Sequence, residues 1–503
     1  MFVKRLRVFF LFLLLVLGIY WPLINKSFSS DDFQIIRRVV FAEHGILIKG
    51  FFRPLSDITL YYFNYCLVGF SPLWYNIYNF ISHACTAYII FLVAGRIQWI
   101  PVENRRFFSW VSALLFITYP FHNEPVVWAV SRGPLMAGLF GTLSVLAAVS
   151  AIRIRLKYIL VCLFYFIAAG GYESVLVLPG VILLMIYDRR QPLRTYIPWI
   201  VWMGLTLVIH LVIRVWISGV FTGVYGSEMM SGSPGSYLAK GFKVLGRVLL
   251  PPMENSKLLV MLFGGEVILL AACIVVLWKR RREWPEGFYG ILRFGGMLAL
   301  ALLIPVLFGI STRTYEGDRL FYFPSVIVAW GVAWMITALL QKKAAFAGAG
   351  ALLLYQLIFL MISVHNWDKA SHITRDIVRT IQGVKQETGG GKHVFVVNIP
   401  EEYEGAHVLR NGFYDALWWA GVDTSGITAV NYIRSEQRKA TGSLAPERQN
   451  DGNVFIPPFV NISFSGPGRG VGEQKGKYTL AINPARDRIL YWDGSLLKEL
   501  SLP

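Results

Sequence analysis

The chain opens with a basic segment, an apolar run and a pair of carboxylates: residues 4–33 are KRLRVFFLFLLLVLGIYWPLINKSFSSDDF. The apolar run, from about Val8 to Ile24, is long enough to cross a bilayer as a helix. Three basic residues precede it, so the positive-inside rule predicts a cytoplasmic N-terminus and places the two aspartates on the opposite side. We interpret the run as a first transmembrane helix rather than a signal peptide, because no Ala-x-Ala-like cleavage site follows it.

The composition is that of a polytopic membrane protein. Of 503 residues, 55% are hydrophobic and 16% are charged, and the mean hydropathy is +0.52. The net charge is +18, but most lysines and arginines fall between apolar runs, where they set topology and meet anionic headgroups. We therefore expect membrane lipids, and no nucleic acid, as partners. The four cysteines lie in apolar stretches without ligand spacing, so they are predicted to be small core residues rather than a disulfide framework or a zinc site.

Ten further apolar runs are long enough, or nearly so, to span a membrane. They lie at about 72–95, 107–121, 133–152, 157–170, 173–187, 196–217, 258–278, 288–310, 324–340 and 344–364. With the first helix they predict eleven spans, and the short basic connections between them fall on one side. An odd count places the C-terminus outside.

Two outward loops differ from these basic connections. Residues 26–71 contain amphipathic stretches at about 33–41 and 55–67, which are too polar to span comfortably and suit an active-site platform at the interface. Residues 218–257 include Ser231-Gly232-Ser233-Pro234-Gly235, a composition typical of a mobile lid or of a simple connector.

Beyond residue 365 the sequence predicts a separate soluble domain, so we divide the chain into residues 1–365 and 366–503. Helical spacing from Trp367 to Gln386 ends before Gly389-Gly390-Gly391, and a short strand follows. The remaining predicted elements are a helix at 413–420 and strands at 394–397, 454–464, 478–482 and 488–492. A small α/β or α+β domain is expected.

Motifs for soluble nucleotides and for metals are missing from the sequence. The glycines at 466, 468, 470 and 472 lack the Gly-Lys-Ser/Thr ending of a phosphate loop. Neither a Gly-x-Ser-x-Gly elbow nor a His-Glu-x-x-His zinc motif is present. Adjacent carboxylates suit Mg²⁺ or Mn²⁺, so the residues alone leave a divalent metal possible.

Polar residues nevertheless recur on the predicted outward side. They are Asp31, Asp32, Arg53, His122, Glu124, Arg132, Glu173, Arg313, Arg319 and Tyr322. A carboxylate can accept a proton from an acceptor hydroxyl, and arginines can bind a phosphate leaving group by bidentate hydrogen bonds. This combination suits glycosyl transfer from a lipid phosphate.

The order of these motifs resembles the GT-C glycosyltransferases. The motifs are Asp31-Asp32, Arg53-Pro54-Leu55, Tyr119-Pro120-x-His122-x-Glu124-Pro125-Val126-x-Trp128 with Arg132, Glu173, and Asp318-Arg319-x-x-Tyr322-x-Pro324-Ser325. Within these enzymes the chain is most similar to the protein O-mannosyltransferases that carry tetratricopeptide repeats in animals, and to their bacterial relatives. The resemblance covers about residues 1–365.

The resemblance implies an eleven-helix GT-C fold, a polyprenyl-monophosphate sugar as donor, an aspartate of the first outward loop as base, and inversion at the anomeric carbon. It also implies that neither a metal nor another cofactor is needed. Asp31 or Asp32 takes the role of base, with Asp32 slightly favoured. Arg319 and Arg132, with Tyr322 and Arg313, are implied on the donor-phosphate side. His122, Glu124, Arg53 and Glu173 are implied on the acceptor side or in the pocket. The acceptor hydroxyl belongs to a protein, glycan or lipid, and the sugar is a hexose such as mannose.

The chain departs from this family in three respects. Asp318 stands where the family usually has Glu, and Tyr172 stands where a Lys commonly precedes the mid-chain glutamate. Tetratricopeptide repeats are absent from the sequence. Since the likeness to repeat-free relatives is closer, a bacterial inner membrane is the expected location.

Each candidate residue also has a structural explanation. Asp31 and Asp32 could cap the helix that follows them. His122 and His83 suit hydrogen-bonded structural histidines better than metal ligands, and Glu173 could be a helix cap. Arg53 and Arg313 could be interfacial anchors. A secondary transporter or a lipid- or glycan-handling protein without transferase activity is the alternative function, although no internal repeat supports a transporter. A non-catalytic scaffold is a third hypothesis.

Overall fold

The computed structural model forms two compact units, a membrane unit of Met1–Ile24 with Ala42–Val364 and a sheet unit of Asn25–Phe41 with His365–Pro503. The segment that carries the aspartate pair thus belongs to the same unit as the C-terminal region. The structure describes residues 2–41, 52–219, 232–253, 255–279, 281–282, 285–315, 317–388, 392–434, 444–448, 454–456, 461–465, 472–475, 478–480, 482–483 and 485–501. The glycines at 389–391, 466, 468 and 470 lie outside these ranges, as do residues 220–231 of the predicted lid or connector at 218–257. Much of the remainder of that loop forms the helix Pro234–Arg247, which the sequence did not predict.

The described residues of the membrane unit form helices and the turns and loops that connect them, without a strand. Its α-helices are Phe2–Tyr20, Pro54–Leu60, Cys66–Val68, Pro72–Ala94, Val102–Ile117, Asn123–Val127, Arg132–Val149, Ile154–Ala169, Leu178–Ile186, Ile197–Ser218, Pro234–Arg247, Ser256–Lys279, Pro285–Ala301, Leu303–Phe308, Tyr322–Leu339 and the first part of Lys342–Glu387. Short 3-10 turns at Trp21–Leu23, Ala129–Ser131, Glu173–Val175, Leu193–Tyr196 and Asp318–Phe321, and a π turn at Tyr61–Tyr65, connect or extend them.

Eight helices in the described part of the chain are long and apolar enough to cross a membrane. They cover eight of the eleven predicted runs. The other three runs also form helices, but the helices Val102–Ile117, Ile154–Ala169 and Leu178–Ile186 are shorter. The chain is therefore consistent with a polytopic helical membrane protein, and the count of eleven stays a prediction.

The cysteines are less buried than the sequence predicted. Cys66 is exposed, and Cys85, Cys162 and Cys273 are only partly buried. The prediction that they are core residues was wrong because an apolar residue in a membrane protein can face lipid as readily as the protein interior.

Glycine allows close helix packing in the membrane unit. A Cβ added at Gly138 would lie 2.5 Å from Cε1 of Tyr322, so the helices Arg132–Val149 and Tyr322–Leu339 approach through a position without a side chain. A Cβ at Gly133 would lie 2.7 Å from the carbonyl oxygen of Gly171. Small residues at helix contacts are typical of membrane proteins.

The sheet unit contains a six-stranded mixed sheet. Its strands are β1 (His393–Pro400), β4 (Ile427–Ile433), β7 (Asn461–Ser465), β8 (Gly472–Lys475), β10 (Asp487–Trp492) and β11 (Leu497–Glu499), in the order β11-β10-β1-β4-β7-β8. The three strands β10, β1 and β4 are parallel, and the outer pairs are antiparallel. A two-stranded sheet pairs β2 (Glu402–Tyr403) with β3 (Ala406–His407). A three-stranded sheet has the order β5-β6-β9, formed by Glu447–Arg448, Val454–Ile456 and Tyr478–Leu480.

Three helical segments complete this unit: Asp31–Phe41, Phe413–Trp419 and the last part of Lys342–Glu387. The sequence predicted a span at 344–364 and a separate helix at 367–386, but the two form one helix of 46 residues. They join because no proline or glycine stands between them to end the hydrogen-bond ladder. The predicted strand at 454–464 is divided in two, β6 and β7.

Two buried asparagines join the central parallel strands. Asn398 in β1 and Asn431 in β4 have positive φ angles of 60° and 66°. Asn431 donates its side-chain Nδ2 to Oδ1 of Asn398 at 2.8 Å, and Asn398 donates Nδ2 to the carbonyl of Leu444 at 2.8 Å. Asparagine tolerates the left-handed conformation better than most residues, so these positions combine a backbone requirement with a buried hydrogen-bond chain.

We expect Asn398→Ala to destabilise the sheet unit by about 2–4 kcal/mol, because it removes two buried hydrogen bonds and because alanine tolerates a positive φ less well than asparagine does. Asn398→Gly loses the same bonds but tolerates the backbone angle, so it should be about 1 kcal/mol less costly. The apparent unfolding temperatures of both variants in detergent check this order. If the two variants unfold at the same temperature, the positive φ at residue 398 does not contribute to the loss of stability.

Candidate functional site

The aspartate pair opens the helix Asp31–Phe41 in the sheet unit. Asp32 is fully buried, and its Oδ2 accepts the backbone N–H of Ser29 at 3.0 Å. Asp31 is only partly buried, and its Oδ1 accepts Nδ2 of Asn411 at 2.8 Å. Both carboxylates thus lie in the first turn, where the helix dipole favours negative charge. The two aspartates are the first and second residues of the helix rather than the N-cap residues considered from the sequence, and Asp31 is the more accessible of the two.

A buried lysine lies beside this helix start. Lys26 donates Nζ to Oγ of Ser29 at 3.1 Å and to the carbonyl of Ser27 at 3.0 Å, and it lies 5.1 Å from the ring centroid of Trp367. Burial lowers the pKa of Lys26 to about 8, and the negative charge of Asp32 opposes that shift. The carboxylate of Asp32 therefore has a cationic neighbour within its own unit.

The backbone before the pair has an unusual conformation. Ser30 has a φ of 48°, and its N–H donates to the carbonyl of Val408 at 2.7 Å. Its own carbonyl lies so close to Gly412 that a Cβ there would overlap the oxygen and lie 2.9 Å from the carbonyl carbon. Gly412 thus allows the chain to turn into the helix Asp31–Phe41 at this point.

The membrane unit gathers a second group of charges around Glu173. Arg214 donates Nη2 to Oε1 of Glu173 at 2.9 Å, and Arg53 donates Nη2 to Oε2 at 3.4 Å. The guanidinium of Arg53 also lies 4.5 Å from the ring centroid of Tyr172. Arg214 and Glu173 are largely buried, whereas the Arg53 side chain is 31% exposed. The two arginines hold the carboxylate between them.

Glu124 forms an equivalent pair with Arg319. Its Oε2 accepts the backbone N–H of Arg319 at 2.9 Å, and its Oε1 accepts the guanidinium. The charge of Arg319 also acts on Tyr172 and on Arg53. Tyr172 therefore links the two carboxylate pairs into one group, which we call the arginine cluster: Arg53, Arg214, Arg319, Glu124, Glu173 and Tyr172.

Local sequence explains why these side chains meet. Gly170 and Gly171 end the helix Ile154–Ala169, and the carbonyl of Gly170 accepts the N–H of Leu55 at 3.1 Å, which places Arg53 beside Glu173. Gly317, with a φ of 89°, turns the chain into the 3-10 turn Asp318–Phe321 that presents Arg319. Glycine adopts such positive angles without steric cost.

The arginine cluster has an excess of positive charge. It contains three guanidinium groups and two carboxylates. Arg319 and Arg53 keep about a third of their side-chain surface exposed, so the excess charge is accessible. Partly buried arginines with free N–H groups are well suited to a phosphate, which accepts bidentate hydrogen bonds.

A further buried ion pair adjoins the cluster. Arg247 donates to Asp318 and to the carbonyls of Leu250 (2.8 Å) and Ser311 (3.1 Å), and its guanidinium lies 4.4 Å from the ring of Phe121. Both charged side chains are almost completely buried. This pair fixes the residue immediately before Arg319, which makes Arg247 a positioning residue for the turn.

The other predicted residues of the membrane unit have different environments. Arg132 is fully buried and donates to the side-chain oxygens of Asn79 and Asn64, with its guanidinium 4.4 Å from the ring of Tyr78. Arg313 is exposed. Arg132 is therefore buried, whereas Arg53 and Arg319 of the cluster are partly exposed.

His122 and His83 are both buried and hydrogen-bonded to protein side chains, as structural histidines are. His122 pairs its Nε2 with Oγ of Ser325 at 2.7 Å, and His83 pairs its Nδ1 with the hydroxyl of Tyr322 at 2.9 Å. Tyr322 is fully buried in this group. Among the residues with described positions, no group of three or more His, Cys, Asp or Glu side chains could hold a metal ion.

Arg214 and Arg247 were missed by the sequence analysis. Arg214 stands inside the apolar run of the helix Ile197–Ser218, and Arg247 ends the amphipathic helix Pro234–Arg247. An ionisable residue within a transmembrane segment is by default a candidate for function. That rule would have selected Arg214, whereas only the fold could place Arg247 beside Asp318.

Comparison with known proteins finds partial similarity. A segment of 89 residues is 34% identical to the mouse protein named Protein O-mannosyl-transferase TMTC3 and covers 18% of this chain and 9% of that protein. A segment of 96 residues is 29% identical to human Protein O-mannosyl-transferase TMTC1, covering 19% of the chain and 10% of the relative. A segment of 110 residues is 29% identical to human Protein O-mannosyl-transferase TMTC4, covering 20% of the chain and 15% of the relative. The similarity thus spans a minor part of each protein, and no protein-family model matches the chain.

Proposed function

We propose that this chain is a membrane glycosyltransferase of the GT-C type, which moves a sugar from a polyprenyl monophosphate to a hydroxyl group on the extracytoplasmic side. The arginine cluster carries this proposal, because a net positive, partly exposed group at the ends of apolar helices suits a lipid-linked phosphate. The prenyl chain of such a donor would lie in the bilayer. The similarity to proteins named O-mannosyl-transferases supports mannose as the transferred hexose and a protein as an acceptor, with a glycan or lipid hydroxyl as alternatives.

In the proposed reaction the acceptor oxygen attacks the anomeric carbon while the bond from that carbon to the phosphate oxygen breaks. The acceptor proton passes to an aspartate, and the polyprenyl phosphate leaves with the bonding electrons. Attack opposite to the leaving group inverts the anomeric configuration. Arg319 and Arg53 would hydrogen-bond the phosphate oxygens on which negative charge grows. No metal or other cofactor is proposed.

We propose the aspartate pair as the source of the base. Asp31 is the more accessible carboxylate, and Asp32 is buried in the helix start, so the structure favours testing each residue alone. A general base must reach the proton that it abstracts. If Asp31 is the base, Asp32 acts by fixing the helix start that carries it.

The proposed orientation follows the charges of the connecting loops. The N-terminus and the basic loops would lie in the cytoplasm, and the aspartate pair and the sheet unit outside. A bacterial inner membrane is the proposed location. His122, Tyr322 and Arg132 would support the site from the helix interior, and Arg313 would meet lipid or donor headgroups at the surface.

The test compares cell-envelope glycans, lipids and glycoproteins by mass spectrometry in cells with the wild-type protein or with the Asp31→Asn, Asp32→Asn double variant at equal membrane levels. We expect one sugar to disappear from one acceptor and its prenyl-phosphate donor to accumulate. The single variants Asp31→Asn and Asp32→Asn assign the base, because removing the base should lower the activity at least about 100-fold. Asp423→Asn, an exposed aspartate of the same unit, is the matched control. An unchanged inventory in the double variant would instead favour transport or scaffolding.

A further inference from the structure

The helix Pro234–Arg247 carries three exposed apolar side chains on one face. Leu238, Phe242 and Leu245 are 65%, 55% and 46% exposed. They stand four and three residues apart in the sequence, so they lie one above the other along the helix. We call these three residues the apolar stripe. A single exposed apolar side chain is ordinary, whereas a continuous exposed patch indicates an interaction surface.

The rest of the helix is packed in a way that keeps the apolar stripe outside. Val244 is buried in a core cluster that also contains Phe321. Arg247, the last residue of the helix, is buried and donates to the carboxylate of Asp318. A rotation that turned the stripe inward would remove Val244 from this core and break a buried ion pair, which is costly. The exposure of the stripe is therefore a fixed property of the fold.

The helix lies at the end of a membrane-spanning segment. It belongs to the connection between the candidate spans Leu193–Ser218 and Lys257–Lys279. Lys240 donates Nζ to the carbonyl of Leu307 at 3.3 Å, and Leu307 is the residue before the last of the candidate span Gly287–Phe308. A span ends where the hydrocarbon of the bilayer gives way to headgroups. The contact between Lys240 and Leu307 thus indicates that the helix lies at this boundary.

Basic side chains accompany the apolar stripe. Lys243 is exposed and Lys240 is partly exposed. The ammonium of a lysine has three N–H donors, so Lys240 can bind a headgroup phosphate in addition to the carbonyl described above. Arg313, also exposed, lies two residues after Ser311, whose carbonyl accepts Nε of Arg247 at 3.1 Å. The charge on this part of the surface is complementary to an anionic headgroup.

Leucine and phenylalanine on one face of a helix, with lysines beside them, are typical of helices that lie in the membrane interface. Anionic lipids strengthen such binding through the basic side chains. We propose that the helix Pro234–Arg247 binds an anionic phospholipid. The acyl chains cover the apolar stripe, and the headgroup binds Lys243 and Lys240. This lipid site is separate from the proposed transfer chemistry, and it gives the connection at 218–257 a role at the membrane surface.

The experiment places the full chain in nanodiscs that contain a trace of a phospholipid with a photoreactive aryl diazirine on its acyl chain. The probe carries either a phosphatidylglycerol or a phosphatidylcholine headgroup, and mass spectrometry locates the adducts after illumination. We expect adducts within residues 234–247, with a yield at least about threefold higher for the phosphatidylglycerol probe. The helix Ser256–Lys279, whose 18-residue apolar window contains no buried residue, is the internal reference for lipid contact.

Two variants test the two parts of the site. Leu238→Asn combined with Phe242→Asn removes most of the apolar stripe and should lower the yield at residues 234–247 about threefold or more for both probes. Lys243→Gln should bring the yield of the phosphatidylglycerol probe close to that of the phosphatidylcholine probe. Lys343→Gln removes an exposed lysine from the helix Lys342–Glu387. It is the matched control and should change neither yield.

The labelling does not require sugar transfer, so its result and that of the envelope comparison are independent. The proposal is overturned if residues 234–247 carry no adduct while the helix Ser256–Lys279 does. A second copy of this chain or an acceptor protein would then be the occupant of the stripe. Equal yields for the two headgroups, or wild-type yields in both variants, overturn it as well. Should the double asparagine variant not fold, the adducts of the wild type and of Lys243→Gln still decide the outcome.

Discussion

Arg319→Ala should lower the rate of sugar transfer by at least about 100-fold, the loss typical when one preorganised donor to a developing negative charge is removed. Arg319 is the arginine of the cluster whose backbone N–H and guanidinium are both held by one carboxylate, Glu124. A lysine retains the charge but not the planar fork of donors, so Arg319→Lys should recover only part of the activity. The measurement is the initial rate with the lipid-linked donor identified in the envelope comparison.

The control for this prediction is Arg106→Ala, which removes an exposed arginine from the helix Val102–Ile117 and should leave the rate unchanged. The transfer rate of Glu124→Gln should lie between those of Arg319→Ala and Arg106→Ala. The amide still accepts one hydrogen bond but leaves the charge of Arg319 without its buried partner. A wild-type rate for Arg319→Ala in protein with normal expression and melting behaviour would contradict the phosphate-binding role.

Gly412→Ala should be the most damaging small substitution in the sheet unit. The new Cβ would overlap the carbonyl oxygen of Ser30, and backbone cannot move aside as a flexible side chain can. Ser30 would have to shift, and with it the helix start at Asp31 and Asp32. We expect a loss of about 3 kcal/mol or more in stability, together with a large loss of transfer activity.

The matched control is Gly383→Ala, in the helix Lys342–Glu387, where a Cβ would meet nothing within 4 Å. Alanine should stabilise that helix slightly, by about 0.5–1 kcal/mol. Apparent unfolding temperatures of both variants in the same detergent measure the difference. If Gly412→Ala and Gly383→Ala melt at the same temperature, the close approach of Ser30 to Gly412 does not constrain the helix start.

The helices could be predicted because their causes are local. Apolar runs with basic loops between them predicted the long apolar helices, and proline opens helices such as Pro54–Leu60 and Pro72–Ala94. The amphipathic helix Pro234–Arg247 was not predicted, because it lies in a stretch rich in Gly, Ser and Pro. The observed helix boundaries differ from the predicted ones in places, as in the single helix Lys342–Glu387, which replaces two predicted helices. The strand Ile427–Ile433 was not predicted, since an asparagine at positive φ interrupts its apolar pattern.

The candidate site was predictable in kind but not in arrangement. Charged residues at helix ends identified Arg53, Glu173, Glu124 and Arg319, which the fold brings into one cluster. Sequence spacing could not show that Glu124 holds Arg319, because 195 residues separate them. Nor could it show that the aspartate pair belongs to the sheet unit, since that grouping rests on contacts such as Asp31 with Asn411, which lie 380 residues apart.

The division of the sheet unit between two distant segments has a consequence for biosynthesis. Residues 25–41, which include the buried side chains of Phe33, Ile36 and Val39, are made early, but the rest of the sheet unit follows only after residue 364. At roughly 5–20 residues per second, translation of the intervening 323 residues takes roughly 15–65 s. During that interval the apolar face of this early segment has no native partner within its own unit. Chaperones or the translocation machinery would find their binding surface here, on residues 25–41 of the nascent chain.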